Sequence, residues 1–321
     1  MQSREAFVRA HSPSWEELER LLMTHARLSE LRPPDISRAA ALYRSLCADL
    51  MHARRIGCPP DVIGYLDALT ARGHSALYSS RSRALAAVRG LLLRRFPRAF
   101  RKHWPLMAAS AALFLLPLAV GWLSTLASPQ FAGKVLPPEQ LEQLARAYAA
   151  GFSGGREAHI DAEMTGFYVD NNIGIAFRCF ATGVLLGLGS IFFLLYNGLA
   201  IGATFGYVMH AGAGANILTF GCGHAPFELI AIMIAGGAGL RLGFAVIATE
   251  GLTRVGSLRK HAPDLVALVA GVAVMLAIAA LIEGFWSPSG VPAPIKYAFS
   301  ALGFSLIVGF LGFAGRSDGA R

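Results

Sequence analysis

The sequence predicts an all-α fold: a polytopic membrane bundle of about six spans behind an N-terminal three-helix domain. Three observations predict it. Charged residues make up only 15% of the 321 and hydrophobic ones 54%, whereas soluble domains carry about 25% charge. From Pro105 onward, apolar runs of membrane-spanning length follow one another. The whole formal net charge of +9 lies in residues 1–103, which hold 18 Lys/Arg against 9 Asp/Glu. The mean hydropathy of +0.49 excludes a disordered chain and argues against an ordinary soluble enzyme. Four cysteines exclude a disulfide scaffold.

Residues 1–80 read as a cytoplasmic helical domain. Ser14-Trp-Glu-Glu17 fits a capping box, and Trp15, Leu18, Leu21, Leu22 and Leu28 supply an apolar stripe. Pro33-Pro34 ends that unit. Asp35 caps the next helix, with Ile36, Ala40, Tyr43, Leu46, Leu50 and Met51 on one face, and Gly57 with Pro59-Pro60 closes it. A third helix runs from about Asp61 to Tyr78 through Val62, Leu66, Leu69, His74 and Leu77. His25, His52 and His74 have no ligand spacing. The first 30 residues show none of the apolar run of a secretory signal.

Residues 81–103 read as a basic amphipathic helix. Leu85, Val88, Leu92, Phe96 and Phe100 recur at helical spacing among Arg81, Arg83, Arg89, Arg94, Arg95, Arg98, Arg101 and Lys102. Such a segment suits the anionic cytoplasmic leaflet. The alternative is a solvated helix packed on the head. Pro97 is expected to bend it. The basic balance also suggests nucleic acid, but no finger or stacking motif supports that partner.

The membrane domain is placed at 104–315, with a tail at 316–321. Its six candidate spans are 105–127, 173–196, 198–219, 225–248, 265–285 and 295–314. Within them, Ala211 to Gly223 is Gly/Ala-rich, so it crosses, re-enters or loops. Basic residues before the first span, at Arg254, Arg259 and Lys260, and at Arg316 and Arg321 put both termini in the cytoplasm. Loop 286–294 has no Lys or Arg, and loop 128–172 holds three basic and six acidic residues, so both fall outside. In the latter, Leu141, Leu144, Ala145 and Tyr148 form one helical face before Ser153-Gly154-Gly155. That helix could dock an outside partner or cover the membrane domain as a lid.

Small-xxx-small repeats mark close helix approaches: Gly183/Gly187, Gly198/Gly202/Gly206 and Gly239/Gly243. They pack spans within the chain or between subunits of a homo-oligomer. Polar residues inside spans are functional hypotheses by default. Arg241, Glu250 and Glu283 fall near span ends and read as interfacial. Asn171, Asn172, Arg178, Asn197, His210, His224 and Glu228 read as one polar cluster toward the outer leaflet, with Arg178 facing Glu228. His224 and Glu228 share a helix face at i and i+4. The cluster either fixes helix packing or binds a solute, proton or lipid headgroup.

Enzyme chemistry has thin support. There is no His-Glu-x-x-His, no Walker motif and no nucleophile elbow at Gly187-Leu-Gly-Ser190. His224 and Glu228 are two possible ligands where a catalytic zinc takes three. Neither a metal nor a cofactor is expected. The cysteines Cys47, Cys58, Cys179 and Cys222 have no partner at motif spacing.

Asn171-Asn172, the Gly183/Gly187 span, Tyr196-Asn197-Gly198-Leu-Ala-Ile-Gly202, His224-Ala-Pro-Phe-Glu228-Leu and Ala235-Gly236-Gly237-Ala-Gly239-Leu carry a resemblance. Together they resemble the stage II sporulation protein M family of membrane proteins. Where that family often has Pro-His-Gly before its Glu, this chain has Gly223-His224-Ala225-Pro226. Arg9 to Trp15, Leu42-Tyr43-Arg44, Ala48-Asp49-Leu50, His74, Tyr78 and Arg94-Arg95-Phe-Pro97-Arg98 resemble its longer, non-sporulating members. The resemblance implies a multi-pass protein of the bacterial inner membrane. It further implies a non-catalytic scaffold in a cell-envelope complex, with protein partners at the head and outer loop. A transporter or channel for a small solute or lipid-linked group is the alternative. An intramembrane hydrolase using His224 and Glu228 comes third.

Overall fold

The computed structural model describes residues 4–24, 33–78, 80–151 and 158–316. Every long element among them is a helix. The chain divides into two compact units, Met1–Val88 and Arg89–Arg321.

The first unit packs α1 (Arg4–Thr24), α2 (Pro33–Ile56) and α3 (Pro60–Tyr78) around one core. Phe7, Trp15 and Leu18 meet Leu42, Leu46 and Leu50 of α2 and Leu66 and Leu69 of α3. Buried Asp49 is satisfied on both oxygens: Trp15 Nε1 donates at 2.9 Å, and His11 Nδ1 lies 3.0 Å away. Outside the core, Arg38 donates twice to Glu17. The Tyr65 hydroxyl and Arg72 both donate to Glu19. Those two bonds hold the Glu19 carboxyl below its usual range, Arg72 contributing most. Burial, then the bond to Glu19, pushes the Tyr65 phenol up to about 12.

Two readings of this region are corrected. Ser14 is no N-cap: α1 begins ten residues earlier, and the Ser14 hydroxyl donates to the His11 carbonyl at 2.7 Å. Phe7 packs on Trp15 in the same core, so burial carries the helix back through Pro13. Met51 is exposed rather than on the buried face, where Ala53 sits instead. His74 is exposed and meets the Tyr43 hydroxyl. His25 and Leu28 lie outside the described residues, and so do Ser153 to Gly155.

Residues 81–103 are not one surface helix. α4 (Ser80–Gly90) passes through a π turn, Leu91–Arg95, into α5 (Phe96–Lys102), which packs on α12 and α13 of the membrane bundle. Leu85 and Val88 are exposed, but Phe96 is buried against Gly271, where a Cβ would lie 2.4 Å from its ring. Arg98, Arg101 and Lys102, read as membrane-facing, have partners inside the unit. Arg98 donates to the Gly315 carbonyl at 2.5 Å. Arg101 donates to those of Leu311 and Ala314 at 2.6 and 2.7 Å. Lys102 pairs with Asp264 at 2.6 Å. Arg94 and Arg95 are exposed.

The bundle continues with α6 (Trp104–Ala127), α7 (Pro138–Ala149), α8 (Ala158–Ala181), α9 (Leu188–Val208), α10 (Gly214–Gly221), α11 (Ala225–Ile247), α12 (Arg254–Leu281) and α13 (Ala293–Phe313). By length and composition, five stretches among the described residues could cross a membrane. They are Trp104–Ala127, Leu188–Gly221, Ala225–Ile247, Arg254–Trp286 and Ala293–Phe313. α11 is the central one, with the largest buried share. Leu116, Leu123, Phe192, Leu306 and Phe313 stand exposed on the outer helices. Apolar exposure of this kind suits a lipid surround and not water.

The predicted span 173–196 is broken, so α8 is not among these five apolar stretches, although it carries the chain back across the bundle between the parallel helices α6 and α9. α8 ends at Ala181, and Leu186 (φ 56°) and Gly187 (φ 85°) turn the chain back into α9. The sixth long helix, α8, carries Asp161, Glu163, Asp170 and Arg178 and packs on α11 and α12. The stretch 211–223 is a π turn bent at Gly212 (φ 86°) and then the eight-residue α10. A helix of that length rises about 12 Å and cannot cross by itself.

The small-residue repeats mark where backbones touch. α6 and α9 run side by side and parallel: a Cβ on Gly198 would lie 2.2 Å from the Phe114 carbonyl oxygen, and one on Gly202 2.0 Å from that of Leu118. Gly206 meets Trp122 and Thr125 in the same register. Gly183 lies on Gly239, and Gly243 lies on Gly187. These approaches are within the chain. They leave the start of α6, the 182–187 turn and the end of α11 at one end of the bundle, the entry end. The ends of α9 and α12 and the start of α11 lie at the far end.

Candidate functional site

At the far end two helix interruptions and the middle of α8 bring polar side chains together. His224 stands immediately before α11, and Pro226 in the first turn fixes where that helix starts. Glu228 follows one turn later on the same face. α12 ends in a π turn, Ile282–Trp286, and Glu283 continues the buried face set by Val272, Leu276 and Ala279. Asn172 of α8 is buried opposite.

The contacts are ordered. His224 Nδ1 is 3.0 Å from the Ser287 hydroxyl. Its Nε2 faces Glu228 Oε2 at 3.7 Å and Glu283 Oε1 at 3.9 Å. The other oxygen of Glu283 accepts from Asn172 Nδ2 at 3.3 Å. Asn171 donates to Asn172 Oδ1 at 2.9 Å. Lys296 of α13 is buried, and its ammonium donates to the carbonyls of Ser287 and Ser289 at 2.7 and 2.8 Å. It thereby pins the turn that seats His224.

The cluster lines a cavity of about 620 Å³ with Asn171, Asn172, Tyr148, Tyr168 and Phe220. α7 roofs it. Leu141, Leu144 and Tyr148 rest on the bundle, while Glu139, Glu142 and Arg146 point out. Asn216 donates to the Tyr148 carbonyl at 2.8 Å and fastens the roof to α10. Of the two roles read for this helix, its apolar face is spent on the lid.

Of the residues read as one cluster, Asn171, Asn172, His224 and Glu228 meet here. Arg178 does not face Glu228. It is exposed and lines an adjoining cavity of about 410 Å³ that also takes in Asn171, Tyr196, Asn197 and His224. Six residues past Asn172 on a helix, it is rotated about 240° from it. Asn197 spends its amide on the Phe193 carbonyl of its own helix at 2.7 Å. His210 is exposed on the π turn after α9 and lines neither cavity.

Glu283, read as interfacial, is buried and belongs to the centre of the site. Arg241, also read as interfacial, is buried against His261, with nitrogens 2.5 and 2.9 Å apart. Lys296 and Ser287 had no place in the sequence reading. One signal was available for Lys296: it is the single charge in an otherwise apolar 21-residue helix.

Two families match the chain. Stage II sporulation protein M matches residues 110–288, which include Asn171, Asn172, His224, Glu228, Glu283 and Ser287 but not Lys296. A Domain of unknown function (DUF8413) matches residues 5–79, the three-helix unit. No curated protein and no solved structure matches the chain. The first match covers more than half of the chain, and the chain belongs to the stage II sporulation protein M family of membrane proteins.

Proposed function

We propose that the protein is a non-catalytic integral membrane scaffold that joins a cytoplasmic partner to a cell-envelope complex, in the bacterial inner membrane. The observation that carries this reading is the self-contained head. Residues 1–88 close their own hydrophobic core, so this unit can present a surface without drawing on the membrane bundle. The outward polar face of α7 is the corresponding surface on the other side. Both termini lie in the cytoplasm in this reading, consistent with the basic residues at the entry end.

One observation favours a second reading. The 620 Å³ cavity, mostly apolar but carrying the polar groups of Asn171, Asn172, His224, Glu228 and Glu283, has the size of a small-molecule site, as a transporter of a solute or lipid-linked group requires.

Affinity purification of the full chain in mild detergent separates the two. Stoichiometric partners that are lost when residues 1–80 are deleted are the expected result. A single clean species, with flux into proteoliposomes that Glu228→Gln abolishes, overturns the scaffold in favour of the transporter.

A further inference from the structure

We propose that His224, Glu228 and Glu283 form a binding site for a divalent first-row transition metal ion of the zinc class. The three side chains offer ligand atoms that all lie within 4.8 Å of one another. They come from two helix interruptions, so their convergence is a product of the fold and not of a local run.

The spacing suits a shared ion better than direct bonding. His224 Nε2 stands 3.7 and 3.9 Å from the nearest carboxylate oxygens, beyond hydrogen-bond range. Two ligands about 2.0–2.2 Å from one zinc in tetrahedral array are about 3.4 Å apart. Side-chain rotations of a few tenths of an ångström close the difference for the histidine. His224 is itself more than nine-tenths buried. Nε2, aimed between the carboxylates, makes no hydrogen bond among the described residues.

The surrounding contacts are those a metal site needs. A histidine ligand is oriented by a bond from its second nitrogen, and a carboxylate ligand by a bond to its second oxygen. Ser287 holds Nδ1 of His224, and Asn172 holds Oε2 of Glu283. Ser287 is in turn placed by Lys296. Buried carboxylates that ligate a divalent cation have their charge balanced by it. One nitrogen and two oxygens fit zinc and its neighbours better than a soft, thiolate-bound ion. The remaining coordination positions would open onto the cavity.

The test uses the full-length protein, purified in detergent, free of any histidine tag and stripped with a chelator. Zn²⁺ is titrated by calorimetry, and bound metal is counted by elemental analysis after gel filtration. One Zn²⁺ per chain is expected, with affinity at least 100-fold weaker in His224→Gln and in Glu283→Gln. His210→Ala, outside the site, should leave it unchanged. Ser287→Ala removes no ligand atom and should weaken binding about 10- to 100-fold, so the idea stays testable if a ligand variant fails to fold. No saturable Zn²⁺ binding by the wild type, or binding that survives His224→Gln, overturns the proposal. The outcome does not depend on whether the chain scaffolds or transports.

Discussion

Lys296 and Tyr65 place polar atoms where apolar ones might be expected, and each is explained by the group it bonds. The Lys296 ammonium replaces its water with the carbonyls of Ser287 and Ser289. The Tyr65 hydroxyl is half-buried and donates to Glu19. The second case has a pH signature. The unfolded chain loses the phenol proton near pH 10, the folded one only at about 12. The unfolded state therefore releases its proton first as pH rises. Head stability contributed here is fully present below about pH 10 and is lost as pH climbs toward about 12. The Glu19 carboxyl works in the opposite sense: its value is lowered in the fold, so its contribution is present above its ordinary range and fades as acid protonates it. Thermal melts of the head across alkaline pH should fall for the wild type, and Tyr65→Phe should flatten that limb. An unchanged alkaline limb in the variant would refute the assignment.

At the scale of elements, close backbone approach holds α6 against α9. A methyl at Gly202 would sit 2.0 Å from the Leu118 oxygen, so the helices must part to accept it. Gly202→Ala is expected to destabilise the bundle by about 1–3 kcal/mol, read as unfolding in detergent. Gly309→Ala on α13 meets nothing within 4 Å and should be neutral within about 0.5 kcal/mol. Equal effects of the two would show that α6–α9 contact is not the cause. The same elements explain what was legible beforehand. Long apolar runs revealed α6, α11, α12 and α13 to within a turn, apart from the polar start of α12. The turn at 182–187 was hidden because Thr-Gly-Val-Leu-Leu-Gly is as apolar as a span, and hydropathy does not register a positive φ. Glu283 was misplaced because it was sorted by its depth near a span end, although a regular 3.6-residue period already puts it on the buried face of Val272, Leu276 and Ala279. His224 and Glu228 were found because their i,i+4 spacing survives in a regular helix, while Arg178 was joined to them by depth alone, without regard to its rotation about α8.

At the scale of the whole molecule, the chain is two folding problems with different solvents. The head buries apolar residues away from water by its own packing. The bundle also has an apolar core, but it leaves Leu116, Phe192 and Leu306 outside and buries glycines and polar groups beside that core. Residues 1–88 expressed alone should therefore be helical and melt cooperatively in water, without detergent, to be checked by circular dichroism. A molten or aggregated product would mean that the head depends on the rest of the chain.

The contacts at the entry end set an order of events. Arg98 and Arg101 precede the first membrane helix, yet their guanidiniums are satisfied by the carbonyls of Leu311, Ala314 and Gly315. During synthesis more than 200 residues must be made before those acceptors exist. Until then the two cations lack these acceptors, and completion of α13 supplies them. The end of α13 thus acts as a latch on the segment that precedes α6.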